Sequence, residues 1–597
     1  MASATGSGAP PAYASKSPSS SSIVEKEKPC DVDAEKREAS SSSASAINVA
    51  EEDLSRPAWQ RIVAGDAKGH DTQRALNTRH IMMIAIGGTI GTGIFLSAGS
   101  AVSVAGPASA LFSYLITGIF CYGVVITLGE MVSYIPVTGT FATFASRFVS
   151  PSLGFTIGWN YWLQWALSIP SELTAAAVIL QYWTTKLQTW EWAIIIIVPI
   201  FAMQLIHVRV YGESEYWFAL IKVIMIILFI VVGLIYDWGG VIGHPGPGLA
   251  NFRNGQAFHG GFKAFAQTFV YAFYSYGGVE LVSLAAGESS QPHITIPRAV
   301  KATFFRIIFF YVLTMLTIGL CIAWNDPTLL NASSNSDVAS SPITVVFVRA
   351  GFGAAVHIVN AVLLTAVLSA TNSCFYASSR MLLALARSGQ APRVFGWCNK
   401  RGVPIPANLL TLLVACLTFL TTIWGDGVVF TWFINLTGIS SLLVWGTIGV
   451  ISLRFRQAWK AQGRDLSDLP FTQPLYPVLP ILVIVLCILM FAAQGYASVI
   501  EQPFSVRNII ATYIGLVLYV LAYVVYAVWE KLVYKAPYHF VPIMEVDLDT
   551  DAVWLPGEGK NVRAREAEEK RIRDEIEAQT PGLRYYWRRA VRWADSI

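Results

Sequence analysis

Gly87-Gly88-Thr89-Ile90-Gly91-Thr92-Gly93-Ile94 lies inside the first long apolar run of the chain. Four glycines in seven residues remove side-chain packing and weaken a helix by about 1 kcal/mol each relative to alanine. In lipid, an unwound stretch is tolerated only where it lines a cavity or where neighbours satisfy its backbone groups. A second weak stretch, Tyr274-Ser275-Tyr276-Gly277-Gly278-Val279-Glu280, interrupts the sixth apolar run. Runs one and six open the two halves of a five-plus-five series. Glycine-interrupted segments at such corresponding positions point to a midplane site between inverted repeats. The Gly87-x-x-x-Gly91 spacing also permits close helix packing, but packing alone leaves the matched break in run six without a reason.

The surrounding composition agrees. Of 597 residues, 54% are hydrophobic and 13% charged, and the mean hydropathy is +0.51. Soluble domains carry roughly 25% charged residues, so a soluble enzyme, a disordered scaffold and a nucleic-acid binder are excluded. A net charge of +4 is too small to imply a polyanionic partner. The seven cysteines are scattered, without a CxxC pair, and indicate neither a zinc site nor a disulfide framework.

Residues 1–71 read as a disordered tail, with Ser clusters, mixed charge and few aromatics. No signal peptide is expected, because the first apolar run follows this polar tail. Runs near the roughly 20 residues needed to cross a bilayer then follow at 80–100, 108–134, 153–182, 192–207, 216–236 and 265–285. A second set lies at 299–324, 343–385, 406–424, 428–453, 477–497 and 507–534. The expected class is therefore an all-α polytopic membrane protein of about twelve transmembrane helices, a five-plus-five inverted-repeat fold with two extra helices. Its membrane domain would span 72–536, with repeats at 80–236 and 265–453, extra helices at 477–534, and a C-terminal tail at 537–597. Basic residues concentrate in alternate loops, among them Arg147, Arg209, Arg298, Arg380 and Arg454, which places both termini in the cytosol. The sequon at Asn331 falls in an outside loop. In the C-terminal tail, 563–577 suits an exposed helix, and the basic-aromatic end 583–589 suits either solvent or the inner membrane surface.

The chemistry follows from the breaks. An interrupted helix exposes a second N-terminus, whose free N–H groups and partial positive charge suit a carboxylate. The other half-helix exposes free carbonyls, which suit an ammonium. Two such breaks face to face would hold the zwitterionic head group of an α-amino acid.

At these residues the chain resembles the fungal, yeast-type amino-acid permeases of the amino acid–polyamine–organocation (APC) superfamily. The resemblance runs from about Arg74 to Pro542. It is carried by the first glycine-rich stretch, Gly129-Glu130-Met131, Pro136-Val137-Thr138-Gly139, Ser171-Glu172-Leu173-Thr174 and Tyr211-Gly212-Glu213 with Lys222. It continues through Gly278-Val279-Glu280-Leu281, Ala286-Gly287-Glu288, Pro297-Arg298-Ala299, Asn372-Ser373 and Arg454-Phe455-Arg456. It implies a proton-coupled importer working by alternating access, with no cofactor beyond the coupling proton. The resemblance assigns the substrate carboxylate to Thr92 and Gly93 beside Gly91, and the ammonium to carbonyls of Thr89, Tyr274 and Gly277. Tyr274 would be the aromatic gate, and Ser275 is a further candidate contact. The pattern departs from the family's usual Phe-x-Gly-x-Glu by the extra glycine and by Val279, so the side-chain pocket should differ.

Ionised side chains within the spans each need a reason, since one costs about 2.5–3.5 kcal/mol at the helix centre on insertion scales. By resemblance, Lys222 is the lysine whose ammonium replaces the sodium ion of related transporters; snorkelling to the interface is the alternative. Glu172 lies deep in run three, for substrate, proton transfer or a structural hydrogen bond. Glu280 could cap the helix after the break or carry protons. Glu130 suits a gate ion pair, interfacial solvation or coupling. Asn372 and Ser373 could satisfy backbone near the pocket or join helices.

The expected function is plasma-membrane, proton-coupled import of L-amino acids, broad and mainly neutral in range. A permease narrow for basic amino acids and a non-transporting sensor of the same fold are the alternatives. The expected partners are the amino-acid substrate, the lipid bilayer and, at Lys26, Lys28 and Lys36 of the N-terminal tail, ubiquitin-ligase machinery; nucleic acid is not among them. No arrangement of catalytic residues in or near the apolar runs suggests an enzyme.

Overall fold

The computed structural model describes residues 76–88, 90–91, 93–253, 255–327, 329, 341–353, 355–499, 506–533 and 540–579. The N-terminal tail with its lysines, Thr89, Thr92, the sequon at Asn331 and the segment 583–589 lie outside the described residues. The described residues form twelve helical spans, with no strand beyond one isolated bridge between Leu76 and Ser289.

Several spans start where the backbone chemistry favours a start. Pro107, Pro151 and Pro292 stand in the first turn of their helices, where a missing N–H costs nothing. Ser150 also caps Pro151–Gln181, its Oγ accepting the Leu153 N–H at 3.2 Å. Spans two, three and five are Pro107–Tyr134, Pro151–Gln181 and Val208–Asp237, with the shorter Thr189–Gln204 as span four. Span seven is Pro292–Cys321. Its start at Pro292, before the apolar residues begin, makes it longer than the 299–324 expected.

Run 343–385 is not one helix. It divides into Pro342–Arg349 and Ala355–Arg387, because Gly351 takes a φ of +80° that ends the first piece. The longer piece is span eight. Spans nine and ten are Ile405–Trp424 and Asp426–Ala461, and Val478–Val499 and Val506–Val533 are the two extra helices. Spans three and eight pack along each other more extensively than any other pair.

Span five illustrates how a membrane helix inverts the usual pattern. Trp217, Ile224, Leu228, Val231 and Ile235 are exposed along one face, while Glu215, Lys222, Met225 and Phe229 are buried on the other. Ionisable groups point into the bundle and apolar ones outward, as expected when the solvent is lipid.

The segment after the last span is only partly a free tail. Gly559–Gln579 is the expected helix. Ahead of it, Val546, Leu548 and Trp554 are buried. Arg464 pairs with both oxygens of Asp549 at 2.7 Å, Arg147 reaches Asp551 at 2.6 Å, and the Trp554 indole donates to the Asp468 carbonyl at 2.9 Å. These contacts make 541–557 a strap across the ends of several spans.

Candidate functional site

Both glycine-rich stretches are broken. The first span runs through Thr78–Met83 and a π-helical turn, Ile84–Gly88, leaves helical geometry at Ile90 and Gly91, and resumes as Gly93–Ser97 and Ala98–Ala105. The sixth span stops after Gly261–Tyr276, turns through residues 277–280, and resumes as Leu281–Ala286. Gly278 carries the turn with a φ of +88°, a conformation that glycine alone adopts without strain. The extra glycine is therefore a requirement of the turn.

The two breaks meet. A Cβ at Gly93 would lie 2.4 Å from the Ser275 Cα, so only glycine lets the spans cross so closely. Beside the crossing is a cleft with about 570 Å³ of empty space, its open mouth included. Gly91 and Gly93 line it from span one, and Tyr274, Gly277 and Gly278 from span six. Gln164, Ser168 and Glu172 enter from span three, Ser373 and Cys374 from span eight, and Thr437, Gly438 and Ser441 from span ten. Among the described lining residues Glu172 is the one charged side chain. It accepts a hydrogen bond from the Tyr274 hydroxyl at 3.3 Å and lies 3.5 Å from where a Gly91 Cβ would stand. Ser275 sits at the crossing, its Oγ donating to the Tyr271 carbonyl at 2.8 Å and lying 2.7 Å from the Tyr114 hydroxyl.

Lys222 is buried and does not snorkel. Its Nζ donates to the Ile90 carbonyl at 2.9 Å and to Ser369 Oγ at 2.9 Å. A second cation acts on the same half-helix: Arg306 of span seven, also buried, donates through Nη1 to the Ala85 carbonyl at 2.7 Å. The last four carbonyls of a helix lack intrahelical partners and carry its partial negative charge, so the first half-helix ends under two fixed positive groups.

The remaining carboxylates have distinct surroundings. Glu280 precedes the second half of span six but makes no side-chain cap there. It instead accepts the Trp445 indole N–H at 2.9 Å, so of its two alternatives the side-chain cap is not formed. Glu130 is gripped by Arg456, with Nε to Oε2 at 2.9 Å and Nη2 to Oε1 at 2.6 Å, and by the backbone and side chain of Gln473, each at 2.9 Å. This buried ion pair joins span two to the end of span ten. Asn372 donates to Glu215 at 3.1 Å and accepts from Gln204 at 2.7 Å, which makes it an interhelical link.

Sequence reasoning did not single out Glu215, Ser369 and Arg306 around the first break, nor Gln164, Ser168, Thr437, Gly438 and Ser441 on the cleft wall. Glu215 had a signal, since it precedes Lys222 by seven residues on the same helix face. Arg306 had one too, as a lone arginine in an apolar run.

The cleft therefore offers two interrupted main chains, one carboxylate and hydroxyl or amide side chains, with the nearest cations turned to carbonyls of the first break. The model of the Amino acid permease family matches residues 80–535. The chain is 41% identical to the lysine-specific permease LysP of Escherichia coli over 75% of its own length and 92% of the relative's. It is 38% identical to the general amino-acid permease GAP2 of Candida albicans, covering 77% and 78%. It is 35% identical to the dicarboxylic amino acid permease of Saccharomyces cerevisiae, covering 85% and 84%. A solved structure of the manganese transporter of Eremococcus coleocola aligns at 13% identity and a TM-score of 0.47, covering 78% of this chain and 98% of that one.

Proposed function

Because the chain belongs to the amino acid permease family, a family of membrane amino-acid transporters, we propose that it imports L-amino acids across the plasma membrane together with protons. Both termini then face the cytosol, a reading that the distribution of basic loop residues supports. The observation that carries this reading is that Gly91 and Gly93 of one broken span, and Gly277 and Gly278 of the other, line a single cleft. Main-chain N–H groups at the restarted half-helix take the carboxylate, and carbonyls at Tyr274 and Gly277 take the ammonium. Lys222, held on the Ile90 carbonyl, couples the proton to the state of the first break.

Head-group recognition by main chain leaves the side chain to Gln164, Ser168, Thr437 and Ser441, which are polar and uncharged and support a broad, mainly neutral range. A second reading, preference for cationic side chains, is favoured by Glu172 on the cleft wall and by the lysine-specific permeases among the relatives. Ubiquitin-ligase machinery acting on Lys26, Lys28 and Lys36 would set the surface lifetime; lysine-to-arginine changes that leave turnover unaltered would remove that element.

Radiolabelled uptake in a permease-deficient host, with and without a protonophore, tests the function. Saturable, protonophore-sensitive accumulation is expected, whereas binding without uptake would make the protein a sensor. Competition by each of the twenty amino acids then separates the broad range from the cationic one.

A further inference from the structure

Glu215 is a buried carboxylate beside Lys222 that the reading above leaves without a task. The geometry points to a proton relay in which the coupling proton leaves Lys222 through the Ser369 hydroxyl and arrives on Glu215. This rests on the proton-coupled reading and deepens it by naming the acceptor.

The hydrogen bonds run in one direction. Lys222 Nζ donates to Ser369 Oγ at 2.9 Å, and that hydroxyl in turn donates to Glu215 Oε2 at 2.7 Å. Transfer breaks an Nζ–H bond and forms an O–H bond at Ser369 Oγ, while the hydroxyl's original proton moves to Oε2. An ammonium and a carboxylate become an amine and a carboxylic acid, so atoms and net charge balance. In a buried site this outcome avoids leaving one uncompensated charge, which is strongly unfavourable.

The carboxyl is oriented for this role. Its other oxygen accepts Asn372 Nδ2 at 3.1 Å, and Asn372 is itself held by Gln204 Nε2 on Oδ1 at 2.7 Å, which leaves Oε2 turned to Ser369. Lys222 also feels the charges of Glu172 on span three and Arg306 on span seven, but the hydrogen-bonded path leads to Glu215. Glu215 lies about two turns nearer the Val208 end of span five, the end that the basic loop residues assign to the cytosol. The relay thus carries the proton inward, in the direction of import.

Purified protein in liposomes tests the relay with two readouts. Net uptake driven by an acid-outside gradient requires proton release, whereas counterflow of labelled against unlabelled substrate does not. Ser369→Ala and Glu215→Gln are expected to lower gradient-driven uptake by roughly a hundredfold, the scale of a lost positioned proton-transfer group, and to retain counterflow. Ser369→Thr, which keeps the hydroxyl, is expected to restore gradient-driven uptake. Normal gradient-driven uptake in either disabling variant would overturn the relay. So would an equal loss of both readouts that Ser369→Thr does not repair, since that marks a purely structural role. A wild-type protein indifferent to the gradient would overturn proton coupling itself.

Discussion

The Lys222 ammonium and the Ile90 carbonyl lie 2.9 Å apart across the break in the first span, so a side chain of span five holds main chain that has left its helix. Charged hydrogen bonds of this kind are worth about 1.5–3 kcal/mol. Lys222→Met should therefore weaken substrate affinity by roughly tenfold or more, read as a raised Kd for labelled substrate bound to the purified protein, since uptake by this variant also lacks the coupling lysine. Lys222→Met with wild-type Kd would mean that the break organises itself without the cation.

Arg306 provides a second hold on the same half-helix through Ala85. Arg306→Met leaves that carbonyl buried and short of a donor, at a cost of about 1–3 kcal/mol. A lower melting temperature of the detergent-solubilised protein and a raised KM are expected together. Arg306→Lys should recover part of both, because a single ammonium can still reach a single carbonyl.

Two glycines should respond in opposite ways. At Gly93 an added methyl meets the Ser275 backbone, and Gly93→Ala should destabilise by about 1–3 kcal/mol through overpacking. At Gly438 an added Cβ meets nothing within 4 Å while the position lines the cleft. Gly438→Ala should leave melting unchanged or higher by up to about 1 kcal/mol of helix propensity, and should reject bulky substrates selectively. Thermal melts beside a competition panel distinguish the two.

The strap gives a prediction outside the membrane. Trp554 is its buried aromatic, and Trp554→Ala should undock the segment, with faster hydrogen exchange across 541–557 and transport measurable alongside. Partial burial pushes the Asp547 carboxyl up, but backbone N–H groups of Thr550 and Asp549 and the charge of Arg147 more than offset this and hold it below the ordinary carboxylate range. A depressed folded-state value means that its contribution is complete above the ordinary carboxylate pKa and is lost as pH falls through the depressed one. Strap exchange should therefore be flat near neutrality and rise only in acid.

Glycine clusters inside apolar runs were legible because no other residue produces them cheaply, and Gly91, Gly93, Gly277 and Gly278 do line the cleft. Charges were legible as singular but not as connected. Ser369 reaches Lys222 from 147 residues away in sequence and Arg306 reaches Ala85 from 221, and one-dimensional periodicity carries no such distances. Glu280 stayed open between a cap and a proton carrier for the same reason, since its partner Trp445 lies four spans later. The strap was hidden because Val546, Leu548 and Trp554 alternate with Asp547, Asp549 and Asp551, a pattern that period reasoning reads as a half-buried strand and not as a docked segment without regular structure.

The most direct measurement concerns the head group. Labelled uptake should be competed by the parent amino acid, and neither by its methyl ester nor by its N-acetyl derivative, because each modification removes one of the two charges that the proposed function assigns to the main chain at the breaks. If a substrate analogue lacking the free carboxylate or the free amine competed as well as its parent, recognition would not reside at the paired breaks of spans one and six.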